Sequence, residues 1–161
     1  MFAGRRSTPR SRGRRKKRTK GLGSALLNEV QGLALTFAKW VFRVAGIYGL
    51  LVVGPQYFLE ARTGRDYPPP ITHPEFYYGF VGVVVAFQVV FLVLATDPVR
   101  YRPMMIPAIL EKAGFAIAVP ILYLQHRVPG LVLGFSLIDA VWGVLFAVAY
   151  VRTSDATTRR S

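Results

Sequence analysis

Cysteine is absent from the 161 residues, which excludes disulfide frameworks, thiolate metal sites and cysteine nucleophiles. Histidine is nearly absent as well: there are two, His73 and His126, and a metal site built from them would have to recruit Glu60, Asp66 or Glu75 from the same loops. Acidic residues are scarce, eight against 21 Lys/Arg. No glycine loop able to cradle phosphates is present, and no catalytic triad signature or H-E-x-x-H pair. The sequence therefore assigns no catalytic residue, no metal and no cofactor. It also shows no internal repeat.

What the chain has in quantity is apolar sequence. Of its residues 52% are apolar, and they fall in four blocks instead of being spread with a helical or strand period. The blocks run over residues 37–59, 76–95, 103–124 and 131–151. Each is about twenty residues long, the length a helix needs to cross roughly 30 Å of hydrocarbon. Strands of a membrane barrel would instead show alternating segments of about ten residues. The expected fold is an all-α membrane protein: a four-transmembrane-helix antiparallel bundle with a disordered basic N-terminal tail.

Connectors of low apolar content separate the blocks. Residues 60–75, EARTGRDYPPPITHPE, carry three consecutive prolines and predict a rigid extended loop. TDPVRYR at 96–102 predicts a turn stopped by Pro98, and QHRVPG at 125–130 is short enough to make the third and fourth helices neighbours. Upstream, residues 22–36 are mildly amphipathic and predict a juxtamembrane helix that lies at the surface or extends the first span. Residues 1–21 hold ten Lys/Arg and no acid. With little apolar surface to bury, they are expected to be a disordered cytoplasmic tail, and residues 152–161 form a second tail.

Positive charge sets the threading. Four spans put both termini on one side, together with Arg100 and Arg102. That side holds fifteen Lys/Arg, against Arg62, Arg65 and Arg127 on the other. The larger number belongs in the cytoplasm, so both termini are expected there, in a bacterial inner membrane. The first apolar block is too long for a cleaved signal peptide and has no small-x-small site after it, which makes it an anchor. The basic cluster Arg14, Arg15, Lys16, Lys17 and Arg18 is the expected contact with anionic lipid headgroups. No specific nucleic acid is expected, because only Phe2 is available to stack on bases.

Chemistry in such a chain falls to the few polar residues inside the blocks. Glu111 and Lys112 are adjacent and point about 100° apart on a helix, so each calls for its own partner. Glu111 shares a stripe with Pro107, Ala108, Gly114 and Ala118, small residues that admit a close neighbour. Lys112 lies with Ile109, Phe115, Ala116 and Val119, and is expected to snorkel to the headgroups, as is Lys39. Arg43 lies about 9 Å into its block and Glu111 about 12 Å into its own, with Gln88 near 10 Å and Asp139 near 18 Å. Arg43, Gln88, Glu111 and Asp139 thus form an expected polar layer, with Arg43 as counter-ion to Glu111. Gly46-x-x-Gly49 and Gly79-x-x-Gly82 read as helix contacts.

The stretches HPEFYYGFVGVVVAFQ (73–88) and DPVRYRPMMIPAILEK (97–112), within a plan running from Trp40 to Arg152, resemble segments of small bacterial four-helix membrane proteins, similar in layout to the broad DoxX-like group. That resemblance implies the four-helix architecture and carries no functional residue. Small multidrug exporters share the helix number, but their membrane carboxylate is in the first helix. Three functions stay open. The leading one is a non-enzymatic accessory or structural protein that binds lipid or a membrane partner, alone or as a homo-oligomer. The others are an oligomeric ion-coupled transporter using Glu111 or Asp139, and a membrane enzyme acting on a lipid or quinone.

Overall fold

A computed structural model describes the backbone of residues 11–154 and the side chains from Ala25 to Ser154. Helices α1 (Ser11–Val53), α2 (Glu60–Asp66), α3 (Pro74–Thr96), α4 (Met105–Leu124) and α5 (Gly130–Arg152) make up nearly all of it, with short 3-10 segments at Gly54–Phe58 and Arg102–Met104. Among the described residues there is no strand. Four helical segments are long and apolar enough to cross a membrane: Ala25–Phe58, Pro74–Thr96, Arg102–Leu124 and Gly130–Arg152. The chain is a multi-pass membrane protein by this criterion, and the apolar blocks lie within these segments to within two or three residues.

α1 is a single helix of 43 residues, so of the two arrangements open for residues 22–36 the backbone takes the one that extends the first span. At 1.5 Å per residue it is about 65 Å long, twice the hydrocarbon thickness, and its amino-terminal half must project from the membrane. Once a helix is nucleated, each added residue costs little, and Lys and Arg are good helix formers. The tail expected over 1–21 falls outside the described residues for its first ten positions, and from Ser11 onward the backbone is helical. The departure from expectation lies in the 60–75 connector, where Glu60–Asp66 forms α2 before the prolines. Glu60 stands in its first turn, Arg65 in its last, and Arg62 pairs with Asp66 four residues on at 3.3 Å.

The turns have identifiable locks. The Asp97 carboxylate accepts from the N–H groups of Val99 and Arg100 at 3.2 and 3.1 Å, closing the α3–α4 turn around Pro98. After α4, His126 takes the left-handed conformation (φ 57°), and the Arg127 N–H donates back to the Leu122 carbonyl at 2.9 Å. The chain reverses there and α5 starts behind Pro129.

α1 packs mainly on α3, and α4 on α5. Contact between α1 and α5 joins the two pairs, while α3 and α4 touch only slightly. The first pairing rests on a close approach at two glycines. A Cβ on Gly46 would come within 2.9 Å of the Gln88 carbonyl and the Leu92 side chain, and one on Gly49 would overlap the Gln88 amide. The Gly46–Gly49 pair is therefore a helix contact, whereas a Cβ on Gly79 meets nothing. Gly46→Val is expected to force α1 and α3 apart at a cost of about 1–3 kcal/mol. The measurement is thermal unfolding in detergent, with Gly79→Val as the variant expected to change little.

The junction of the two pairs is aromatic. Phe42, Phe91 and Phe146 are fully buried, with ring centroids 4.5 Å apart for Phe42–Phe146 and 4.8 Å for Phe91–Phe146. Ala38, Ala45, Leu94, Met105, Ala108 and Ala149 close around them. At this end of the molecule Arg102 donates twice to the Tyr150 carbonyl (3.2 and 3.1 Å) and lies 3.8 Å above the Tyr150 ring. That contact holds the α3–α4 turn against the carboxyl end of α5. At the opposite end the Tyr77 hydroxyl donates to the Gln56 carbonyl (2.8 Å), and the Tyr78 hydroxyl to Glu60 (2.8 Å).

Candidate functional site: a carboxylate–lysine–carboxylate cluster

The buried face of α4 is set by Met105, Ala108, Lys112 and Val119, spaced by three, four and seven residues. On α5 the buried residues are Ser136, Phe146 and Ala149. Small residues let the two helices approach. A Cβ on Gly143 would stand 3.4 Å from the Cβ of Lys112, and the Ser136 hydroxyl donates to the Phe115 carbonyl of α4 at 3.5 Å.

This packing carries Lys112 inward, where it is only 6% exposed. Its ammonium donates to Glu111 Oε1 at 3.3 Å and to Asp139 Oδ1 at 3.3 Å, and stands 3.2 Å from Glu111 Oε2. Below it, Nζ is 5.4 Å from the centroid of the Phe91 ring, so the cluster rests on the aromatic junction. Glu111 and Asp139 retain 13% and 21% side-chain exposure. Glu111 is nine residues from Arg102 and Asp139 nine from Gly130, which puts each about 14 Å from an opposite end of its span. The cluster therefore sits near the middle of a 30 Å slab.

Sequence reasoning placed several of these residues elsewhere. Lys112 does not snorkel: it lies on the helix-packing face, and of the small-residue stripe through Glu111 only Ala108 is buried, while Gly114 and Ala118 are exposed. Helix packing follows the three–four spacing through Ala108 and Lys112, not the distribution of small side chains. Glu111 and Lys112 also pair, because the flexible lysine chain turns its ammonium back over its neighbour, which the 100° separation of their Cβ atoms does not forbid. Arg43 is not the counter-ion of Glu111. It is exposed, 5.6 Å over the Trp40 ring, because its side of α1 faces away from α3 and α5. Gln88 is 1% exposed but lies against Gly49 and donates to the Val84 carbonyl at 3.0 Å. Of the expected layer, the structure brings together Glu111 and Asp139 only, through Lys112.

Lys39 is exposed. The side chains of Arg14, Arg15, Lys16, Lys17 and Arg18 lie outside the described residues. His73 pairs with Glu75 at 3.0 Å on the surface. Among the described residues no three His, Cys, Asp or Glu side chains come together as a metal site.

No family model, no curated protein and no solved structure matches this chain. The cluster's own chemistry has to carry the argument.

That chemistry is one of unequal charge. Two carboxylates and one ammonium carry a net charge of minus one when all are ionised, in a medium where an uncompensated charge is expensive. One oxygen, Glu111 Oε2, is buried and accepts no hydrogen bond. The lysine nitrogen already occupies the space between the acids where a metal ion would sit. A proton on a carboxylate needs no such space.

Proposed function

We propose that the protein is a small ion-coupled carrier of the bacterial inner membrane whose Glu111–Lys112–Asp139 cluster takes up and releases one proton. The unbalanced cluster carries this reading: two carboxylates share one ammonium, and Glu111 Oε2, 3.2 Å from that ammonium, is buried without accepting a hydrogen bond. A one-to-one ion pair would suit a purely structural role; two acids sharing one lysine at mid-membrane suit a site that changes its protonation state. The accompanying architecture is an antiparallel four-helix bundle with both termini cytoplasmic. Its support is the excess of fifteen Lys/Arg over three, the short connectors, and the contacts that tie Arg102 to Tyr150 at one end and Tyr77 to Gln56 at the other.

The test is infrared difference spectroscopy on protein reconstituted in lipid and stepped between about pH 3 and pH 9, a window that spans the ordinary and buried carboxylate ranges. A protonated-carboxyl C=O band is expected to grow on acidification and to disappear in Glu111→Gln, in Asp139→Asn, or in both. A band indifferent to both substitutions, or no titrating band at all, would leave the cluster as scaffolding. The protein would then be an accessory component that binds lipid or a membrane partner.

A further inference from the structure

We infer that α5 carries a binding site for one anionic phospholipid, independent of the proton cluster. Val144, Ala147, Val148, Val151 and Arg152 line an open groove of about 350 Å³ on its outer side. The first four are apolar and repeat at helical spacing over about 10 Å of helix, so the groove accepts an acyl chain and nothing charged. Its end is an arginine. The Arg152 guanidinium lies 5.2 Å from the Phe37 ring centroid of α1 and has no acidic partner among the described residues.

The surroundings select a phosphate for that end. Arg43 over Trp40 (5.6 Å) and Arg100 over Tyr101 (5.4 Å) also lack an acidic partner among the described residues, and Lys39 is exposed on α1. These residues join the Arg102–Tyr150 contact near the end of the molecule that the aromatic side chains mark as an interface. Guanidinium groups stacked on rings keep their N–H donors free and have lost part of their conformational freedom, which suits them to hold a phosphodiester. What distinguishes Arg152 from the other arginines is the apolar groove leading away from it into the hydrocarbon. A lipid bound there would place its phosphate on Arg152 and one chain along Ala147 and Val144.

Native mass spectrometry of the detergent-purified full chain, titrated with phosphatidylglycerol or phosphatidylcholine, tests the site. Wild type is expected to prefer phosphatidylglycerol. Arg152→Gln should weaken phosphatidylglycerol about fivefold, the effect of one basic residue on anionic lipid, and phosphatidylcholine less, because its choline cation already offsets the phosphate that Arg152 would hold. Ala147→Leu, which fills the groove without touching charge, should weaken both lipids. Equal affinity for the two lipids in wild type would overturn the inference. So would Arg43→Gln acting as strongly as Arg152→Gln, the mark of a general basic belt, or a dimer lost in Ala147→Leu, the mark of a groove covered by a second copy.

Discussion

Lys112→Met should be the most damaging single substitution in the protein, lowering stability by about 3–5 kcal/mol. Methionine keeps the length and apolar stem of lysine, so packing against Gly143 is largely preserved and the effect isolates the ammonium. Removing that charge leaves Glu111 and Asp139 at mid-membrane with no cation. Arg43 cannot replace it, since it faces outward over Trp40. Thermal unfolding in detergent is a direct measurement, with Trp142 as reporter because its ring packs 6.3 Å from Phe146. The charge argument requires rescue: in an Glu111→Gln, Asp139→Asn background, Lys112→Met should cost about 1 kcal/mol or less, since no buried carboxylate is then orphaned. An undiminished loss in that background would mean that the lysine matters for its packing and that the cluster is not held by charge.

Much of the fold was legible because lipid imposes a coarse rule. A segment that crosses hydrocarbon must be apolar for about twenty residues and must satisfy its backbone internally, so composition alone marks four helices. The prolines at 98 and 129 then separate them. What composition does not specify is the azimuth of each helix. In a soluble protein the apolar stripe marks the buried face; in a span that is apolar all round it marks nothing. Small residues stood in for that missing signal, and they served for Gly46 and Gly49 but failed for Gly114. By small residues alone Lys112 falls on the bulkier, lipid-like side and snorkels to the headgroups, whereas in the structure Ala108, Lys112 and Val119 form a single buried helical face with Met105. Depth misled as well. Counting along each helix separated Glu111 and Asp139 by several ångströms, and a lysine between them spans that interval.

The same reasoning explains why the cluster is unbalanced. α1 and α3 meet through glycine and glutamine, α4 and α5 through serine, glycine and lysine. Each pair satisfies its polar groups within itself: Gln88 on its own helix at Val84, Lys112 on its own helix and its partner. Between the pairs the contact is aromatic, so no cation from α1 reaches the acids of α4 and α5. The net negative charge is a consequence of where the polar residues lie relative to the two helix pairs.

That arrangement makes Phe146 the point where core and cluster connect. Its ring contacts Phe42 of α1 and Phe91 of α3, and Phe91 in turn lies under the Lys112 ammonium. Phe146→Ala in a water-soluble core would cost about 3–5 kcal/mol. In a bundle surrounded by lipid the transfer contribution shrinks, because the unpacked ring would still be in an apolar medium. The cavity and the two aromatic pairs remain, and the expected loss is about 2–3 kcal/mol. Phe146→Leu should lose roughly half of that. Combining Phe146→Ala with Lys112→Met decides whether the two regions act together: if Phe91 shifts into the vacated space, Lys112 loses its support in the single variant, and the double variant should fall short of additivity by about 0.5–1 kcal/mol. Strict additivity would make the aromatic junction and the charged cluster separate devices, with Phe91 a neighbour of the ammonium and nothing more.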